Sequence, residues 1–294
     1  MAIPAASSIT TWFTLDADVD QDLFYAWAQA IEGNMRERLT ANRTYYVRTD
    51  GSNSNTGLVN SAGGAFLTLQ KALSVAYYDI DTGNFIATIQ VAAGTYTELV
   101  VLNGAASNNR VLLQGDNTTP SNVVWTTGGG GVCITFSAFM KLTISGFETQ
   151  TTGTHLYCFN SGTLIFQNHR FGGAACASHV QAQGNQAAIL CFGAYEIASD
   201  AARHILMTEG ANFSCTTRTV TIATARNWTT AFVQTDRASR AMMSGNTFTG
   251  AGVAGTTGKR YDIIHNSMIY TNGAAVNIFP GSVAGTTATG GQYV

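Results

Sequence analysis

Short apolar clusters recur along most of this chain, with polar residues and glycines between them. From residue 85 onward the clusters are roughly 8–14 residues apart, which is typical of short β-strands joined by turns. The first of them are Ile89–Val91, Val100–Leu102, Val111–Leu113, Val123–Trp125, Ile134–Phe136 and Leu142–Ile144. Two or three strands per coil would give rungs of roughly 20–30 residues. The pattern therefore predicts an all-β solenoid of about seven or eight stacked rungs.

Amino-acid composition agrees with this pattern and indicates which kinds of binding partner are not expected. The 294 residues include 31 Gly, 3 Pro and only 11% charged residues, as expected for an all-β protein with many turns. A β-sandwich or jelly roll is the alternative fold, but only Asn103-Gly104 and Asn272-Gly273 offer tight hairpin turns. The net charge of −2 gives no reason to expect a nucleic-acid partner. Apolar runs stay far below the roughly 18 residues of a membrane-spanning helix, so we expect no membrane insertion.

A helical periodicity precedes the strands. Apolar residues recur there at four-residue intervals, namely Leu23, Trp27, Ile31, Met35 and Leu39. Acidic residues at 16–22 precede this stripe, and Arg36 and Arg38 lie near its end, as the helix dipole prefers. We predict an amphipathic helix of about twenty residues. A lone helix cannot cover its own apolar stripe, so we expect it to pack as a neck on copies from other subunits. Packing on the downstream domain is the alternative.

More specific motifs lie between residues 44 and 126. A strand and a polar loop occupy Tyr45–Gly57 (YYV…DG.N.N.G), and a short helix is predicted within Phe66–Ala76 (F.TLQKAL). A further strand, Phe85–Val91, leads into the segment GTYTE at Gly94–Glu98. This order resembles the N-terminal cap and first rung of pectin-lyase-like right-handed parallel β-helix proteins. It is similar in particular to phage and prophage tail spikes, in which a small helix plugs the open end of the solenoid.

The resemblance continues through a second rung at Val111–Trp125, and the ending Gly258–Val294 also looks like phage tail proteins. It implies a right-handed parallel β-helix with an N-terminal amphipathic neck helix and a short capping helix. Four regions follow from it: a virion-attachment segment with the neck helix (1–42), an N-terminal cap (43–84), the parallel β-helix (85–257), and a closing and trimerisation region (258–294).

The resemblance also implies a function. A phage tail spike is a homotrimer that attaches to the phage tail or to other virion proteins and binds a host surface polysaccharide or another receptor. It would be assembled in the bacterial host cytoplasm and reside in the virion. Two alternatives stay open, since the superfamily includes lyases, hydrolases and pure binders. One is a polysaccharide depolymerase, either a glycoside hydrolase or a lyase, and the other is a virion decoration or head fibre.

Enzymes that cleave polysaccharides depend on clustered carboxylates, and here these are scarce. From residue 85 onward the acids are Glu98, Asp116, Glu148, Glu196, Asp200, Glu209, Asp236 and Asp262. Adjacent rungs bring residues roughly 20–30 apart in sequence within about 5 Å. The candidate catalytic pair is therefore Glu209 and Asp236, with Glu196 or Asp200 assisting. A simpler interpretation makes them solvated loop acids beside Arg203 and Arg237. The scarcity favours a binding protein over an enzyme.

Metal-binding motifs are absent from the sequence. The histidines (His155, His169, His179, His204 and His265) show no HExxH or HxH spacing, and the five cysteines form no CxxC pair. We therefore predict histidines in loops or walls, buried free thiols, and neither a metal nor a cofactor. The chain is rich in amides, such as Gln181 and Gln183, which together with aromatic residues would suit a sugar-binding surface.

Overall fold

The computed structural model describes residues 36–104, 110–137 and 140–294, which form a parallel β-solenoid of about eight coils. Three long sheets run along the solenoid, and strands on neighbouring coils pair in parallel. Val111, Leu142, Leu164 and Ile189 occupy one position of sheet 1 on four successive coils. The predicted solenoid and its rung length are thus confirmed, and the sandwich alternative is wrong.

From Ala87 to Ile263, each coil contributes in turn to sheets 1, 2 and 3; the described coils before and after this range add no strand to sheet 2. Sheet 1 consists of Arg43–Val47, Ala87–Val91, Val111–Gln114, Lys141–Ser145, Thr163–Gln167, Ala188–Cys191, Asn212–Cys215, Arg240–Met242, Met268–Tyr270 and Gln292–Tyr293. Sheet 2 consists of Gly94–Thr97, Val123–Thr126, Glu148–Gln150, His169–Gly172, Tyr195–Ile197, Thr219–Thr221 and Thr247–Thr249. Sheet 3 consists of Val100–Leu102, Val132–Ser137, Thr154–Phe159, Cys176–Gln183, Ala201–Thr208, Asn227–Thr235, Thr257–Gly258, Tyr261–Ile263 and Thr286–Thr287.

A short α-helix, Leu69–Ser74, lies at the first coil, where the sequence predicts the capping helix. Thr68 begins it by accepting a hydrogen bond from Lys71 N, and Leu69 and Leu73 are buried. One π-helical turn, Val75–Asp79, continues it, and a 3₁₀ turn covers Pro120–Asn122. In the described part of the chain, no helix has the length and apolar character needed to cross a membrane.

The predicted neck helix is overturned at its C-terminal end. Glu37–Arg38 forms a β-strand that pairs with Ile80–Asp81, and Leu39 N donates to Asp81 O at 2.9 Å. The side chain of Leu39 is buried in the core of its own chain, so it does not belong to an exposed stripe. The other stripe residues, Leu23, Trp27, Ile31 and Met35, lie outside the described residues. The neck and the trimer therefore stay predictions.

Apolar columns, stacked coil upon coil, fill the interior. In sheet 1, Leu113, Ile144, Phe166 and Cys191 follow one another in register, and all are almost fully buried. Burial of a Leu, Ile or Phe side chain contributes about 1.5–3 kcal/mol, so the repeated column stabilises every coil against its neighbours. All five cysteines lie in described residues and are buried free thiols, as predicted.

The last residues both extend the solenoid and cover its core. Strands after residue 257 still join sheets 1 and 3, so coil stacking continues beyond the predicted boundary. Phe279 is buried and packs against Phe232 at 5.7 Å between ring centroids. Trp228 Nε1 donates to Pro280 O at 3.0 Å. The segment around Phe279 therefore covers apolar side chains that would otherwise be exposed to solvent at this end of the solenoid. Its pairing with other subunits stays a prediction.

Candidate functional site

The structure brings Glu209 and Asp236 together. They follow Ala201–Thr208 and Asn227–Thr235 of sheet 3, in the turns that lead into sheet 1 on consecutive coils. Arg237 Nη1 lies 3.0 Å from Glu209 Oε1, and Arg237 Nε lies 3.9 Å from Asp236 Oδ2. One guanidinium thus faces both members of the predicted pair. Arg203, also expected beside these acids, donates to Gln234 Oε1 instead.

Glu196 and Asp200 do not join this pair, so their predicted assisting role is wrong. Glu196 belongs to sheet 2, where it accepts a hydrogen bond from Arg170 Nε at 3.0 Å. Asp200 precedes the eight-residue strand Ala201–Thr208, whereas Glu209 follows it. A strand of that length spans about 26 Å, so Asp200 is too distant to act with Glu209.

Hydrogen bonds extend the Glu209–Asp236 pair into a longer row. Gln183 Nε2 donates to Glu209 Oε2 at 3.0 Å, and Tyr157 OH donates to Gln183 Oε1 at 2.9 Å. At the other end of the row, His265 Nδ1 lies 2.6 Å from Asp236 Oδ1. We call the row formed by Tyr157, Phe159, Gln183, Glu209, Asp236, Arg237 and His265 the turn stripe. It crosses five consecutive coils, or about 19 Å.

An aromatic pair forms one end of the turn stripe. The rings of Tyr157 and Phe159 stack at 5.6 Å between centroids with an interplanar angle of 15°. Leu156 and Cys158 point into the core, so the alternation of the strand places Tyr157 and Phe159 together on the outer face. The stripe therefore combines a flat apolar platform with amide, carboxylate, guanidinium and imidazole groups.

The backbone of the turn stripe is unusual. Glu209 (φ 59°), Arg237 (φ 52°) and His265 (φ 51°) occupy one position on consecutive coils, and all three are in the left-handed region. Gly184, with φ 94°, holds the same position one coil earlier. A residue with a Cβ costs about 1–2 kcal/mol more than glycine in this conformation. On three successive coils, this strained position is occupied by a charged or titratable residue.

Exposure decides which groups can meet a ligand. The side chains of Arg237 and His265 are 62% and 56% exposed, and that of Glu209 is 41% exposed. Asp236 is 17% exposed and lies beneath its two basic neighbours. A shallow groove beside these turns is lined by polar residues, among them Asn266, Ser267 and Gln292. The site is thus an open, hydrogen-bonding surface.

Four of the five histidines lie in the core, which corrects the prediction that they occupy loops or walls. His155, His169, His179 and His204 are at most 1% exposed. His155 and His179 follow one another in sheet 3, and His204 continues this column on the next coil. Burial lowers the pKa of His155, His169 and His204 to about 3, so these rings are neutral at physiological pH.

Polar partners accompany the buried rings. Thr149 Oγ1 lies 2.8 Å from His155 Nδ1 and 2.9 Å from His169 Nε2. Tyr195 OH lies 2.9 Å from His204 Nε2. Within the part of the chain that the structure describes, one group of side chains has the composition and spacing to hold a metal ion, and it comprises His155, Cys176 and His179. The column of His155, His179 and His204 could have been predicted from the sequence, because successive members are separated by about the length of one coil.

Comparison of the chain with known protein families, curated proteins and solved structures found no match.

Proposed function

We propose that this protein binds a surface glycan through the turn stripe. The observation that carries the proposal is the column of left-handed residues Glu209, Arg237 and His265, which hold polar side chains outward where glycine would be less strained. Strain of this kind is concentrated at functional sites. The residues lie in one hydrogen-bonded row with the stacked pair Tyr157 and Phe159.

The chemistry of the turn stripe suits carbohydrate. Sugar rings have apolar faces edged by hydroxyl groups, so their binding sites combine aromatic platforms with amides and charged hydrogen-bonding groups. Tyr157 and Phe159 supply the platform, while Gln183, Glu209 and Arg237 supply donors and acceptors. The stripe extends for about 19 Å along stacked coils, which suits an extended oligosaccharide better than a single ring.

The proposed setting is the adsorption apparatus of a phage. The protein would act as a receptor-binding tail spike, a homotrimer that attaches to tail or other virion proteins and contacts host polysaccharide or another receptor. Support for this setting is the resemblance of residues 44–126 to tail-spike caps and first rungs. A virion decoration or head fibre built on the same solenoid is the alternative setting.

A depolymerase is the second candidate activity. The observation in its favour is that Glu209 and Asp236, from consecutive coils, face the same guanidinium. Glycosidases need two carboxyl groups that flank the scissile bond, one of which donates a proton. Both carboxylates here accept hydrogen bonds from basic groups, Arg237 and His265, which suits the fixing of a ligand more than the transfer of a proton.

Binding and cleavage are tested together. The purified protein is incubated with an array of polysaccharides extracted from bacterial surfaces, and the best binder is titrated by calorimetry. We expect Tyr157→Ala and Arg237→Ala to weaken binding at least tenfold at unchanged melting temperature. Arg110→Ala, an exposed arginine outside the stripe, is the matched control. Undiminished binding by both stripe variants would overturn the proposal. New reducing ends that disappear in Glu209→Gln would establish the depolymerase.

A further inference from the structure

Three potential metal ligands meet inside the solenoid, on the two strands whose ends carry Tyr157 and Gln183 of the turn stripe. His155, Cys176 and His179 each offer one ligand atom, and these atoms lie within 4.8 Å of one another. His155 comes from Thr154–Phe159, and the other two come from Cys176–Gln183, the strand paired with it on the next coil. The two histidines are 0% exposed and Cys176 is 6% exposed. The ligands are therefore held by two adjacent strands of a rigid sheet.

Only one of the two ring nitrogens of His155 has a hydrogen-bond partner among the described residues. His155 Nδ1 bonds to Thr149 Oγ1, but the buried Nε2 has no hydrogen-bond partner among the described residues. An unpaired buried polar atom costs about 1–3 kcal/mol, and in native proteins it commonly indicates a water molecule or an ion. Because Nδ1 is engaged, Nε2 is the atom that His155 has available for a ligand.

We propose that His155 Nε2, Cys176 Sγ and His179 bind a single Zn²⁺ ion between two coils. Imidazole and thiolate are the donors that zinc prefers, whereas Mg²⁺ and Ca²⁺ require oxygen ligands. Zn–N and Zn–S bonds of about 2.0–2.3 Å place tetrahedral ligands about 3.4–3.7 Å apart. The present separations of up to 4.8 Å exceed that distance by about 1 Å, which side-chain adjustment on metal binding would close.

Hydrogen bonds around the cluster orient its rings as second ligand layers do. Thr149 holds His155 by Nδ1, and Ser199 Oγ lies 2.9 Å from His179 Nε2. His179 Nδ1, now 3.1 Å from His204 Nδ1, is then the atom that turns to the metal. A structural zinc ion takes four ligands. His204 lies outside the group of three but contacts His179, so it would supply the fourth ligand only after its side chain moves toward the ion.

Coordination converts the Cys176 thiol to a thiolate and releases its proton to solvent. Because the cluster is enclosed by the core, the ion enters during folding and leaves on unfolding. The bound ion acts as a structural staple that joins two coils.

The test measures metal in the full-length protein. The chain is expressed in zinc-supplemented medium, and a second sample is refolded with Zn²⁺ or Co²⁺. We expect about one metal ion per chain by mass spectrometry, retention of the ion in EDTA until the protein unfolds, and a thiolate-to-cobalt absorption band. Fewer than about 0.1 ions per chain in both preparations would overturn the proposal.

Cys176→Ala identifies the ligand. This variant should lose at least nine-tenths of the bound metal and the cobalt band. Cys158→Ala is the matched control, since Cys158 is also a buried free thiol of sheet 3 but lies outside the cluster. Equal metal content in Cys176→Ala and the wild-type protein would contradict the assignment. If Cys176→Ala does not fold, the metal content and the cobalt band of the wild-type protein decide the question.

Discussion

Arg170 and Glu148 form an ion pair between consecutive coils of sheet 2, with 2.5 Å between Arg170 Nη1 and Glu148 Oε2. The side chain of Glu148 is only 5% exposed, and its other oxygen accepts from Gln150 Nε2 at 2.6 Å. Arg170 Nε also contacts Glu196 on the following coil. One guanidinium therefore joins three coils outside the core.

Removal of this guanidinium should destabilise the solenoid. We expect Arg170→Met to lower the free energy of unfolding by about 3 kcal/mol, because it leaves the Glu148 carboxylate buried with one neutral donor. The double variant Glu148→Gln/Arg170→Met should cost less, since no uncompensated charge remains buried; Glu196, which also loses Arg170, is partly exposed to solvent. Denaturation by urea measures both values. Arg43→Met, which breaks the more exposed pair with Glu37, is the control and should cost below about 1 kcal/mol. A double variant no more stable than Arg170→Met would contradict this account.

Because two coils approach each other closely at Gly153, a side chain at this position should destabilise the solenoid. A Cβ at Gly153 would lie 1.8 Å from Gly131 O, a carbonyl that also accepts from Thr154 N. We expect Gly153→Ala to lower the free energy of unfolding by about 1–3 kcal/mol through forced separation of the backbones. Gly129→Ala is the matched control, because a Cβ there meets no atom within 4 Å. Equal melting temperatures for the two variants would show that the coils can separate without cost.

Glu98 should hold the capping helix on the first coil. Its two carboxylate oxygens accept from Leu69 N at 2.8 Å and Gln70 N at 2.9 Å, at the start of Leu69–Ser74. Glu98→Gln replaces one acceptor by a donor, and we expect a loss of about 1–2 kcal/mol. Hydrogen exchange of the helix amides should accelerate by at least about tenfold, as 1.4 kcal/mol implies. Glu37→Gln, an exposed carboxylate outside the cap, should leave these amides unchanged. Unchanged exchange in Glu98→Gln would exclude the cap.

Buried histidines should make the metal-free protein sensitive to acid. Burial lowers the pKa of His169 from 6.5 to about 3. Between these values the unfolded chain binds a proton that the folded chain excludes, so stability falls as pH decreases from 6.5 to 3. The loss is about 1.4 kcal/mol per pH unit for one histidine. His169→Gln should keep a hydrogen bond to Thr149 and flatten the pH dependence by that slope. Both proteins are unfolded and refolded in EDTA to remove any metal before urea denaturation. Parallel stability curves for the variant and the wild-type protein would refute the expected linkage.

Local sequence patterns predicted much of the fold. Alternation in segments such as Ala87–Val91 sets which side chains point inward, and this depends on residues two positions apart. The helix within Phe66–Ala76 was similarly visible from its apolar spacing and the Thr68 cap. The apolar stripe that ends at Leu39 led to a wrong prediction at its C-terminal end. Its four-residue spacing is typical of a helix, but it continues into Glu37–Arg38, which forms a β-strand paired with Ile80–Asp81.

The amino-acid sequence by itself determined the solenoid, since period-two alternation, turn residues and the recurrence of short strands are local properties of the chain. Only the tertiary structure decided which side chains meet on adjacent coils, because coil lengths vary and a shift of one residue turns a side chain to the opposite face. Glu209 and Asp236 could be paired in advance because they are one coil apart. The hydrogen bond from Tyr157 to Gln183, and the meeting of His155 with Cys176 and His179, depend on the exact register between strands. That register is set by the packing of the whole core.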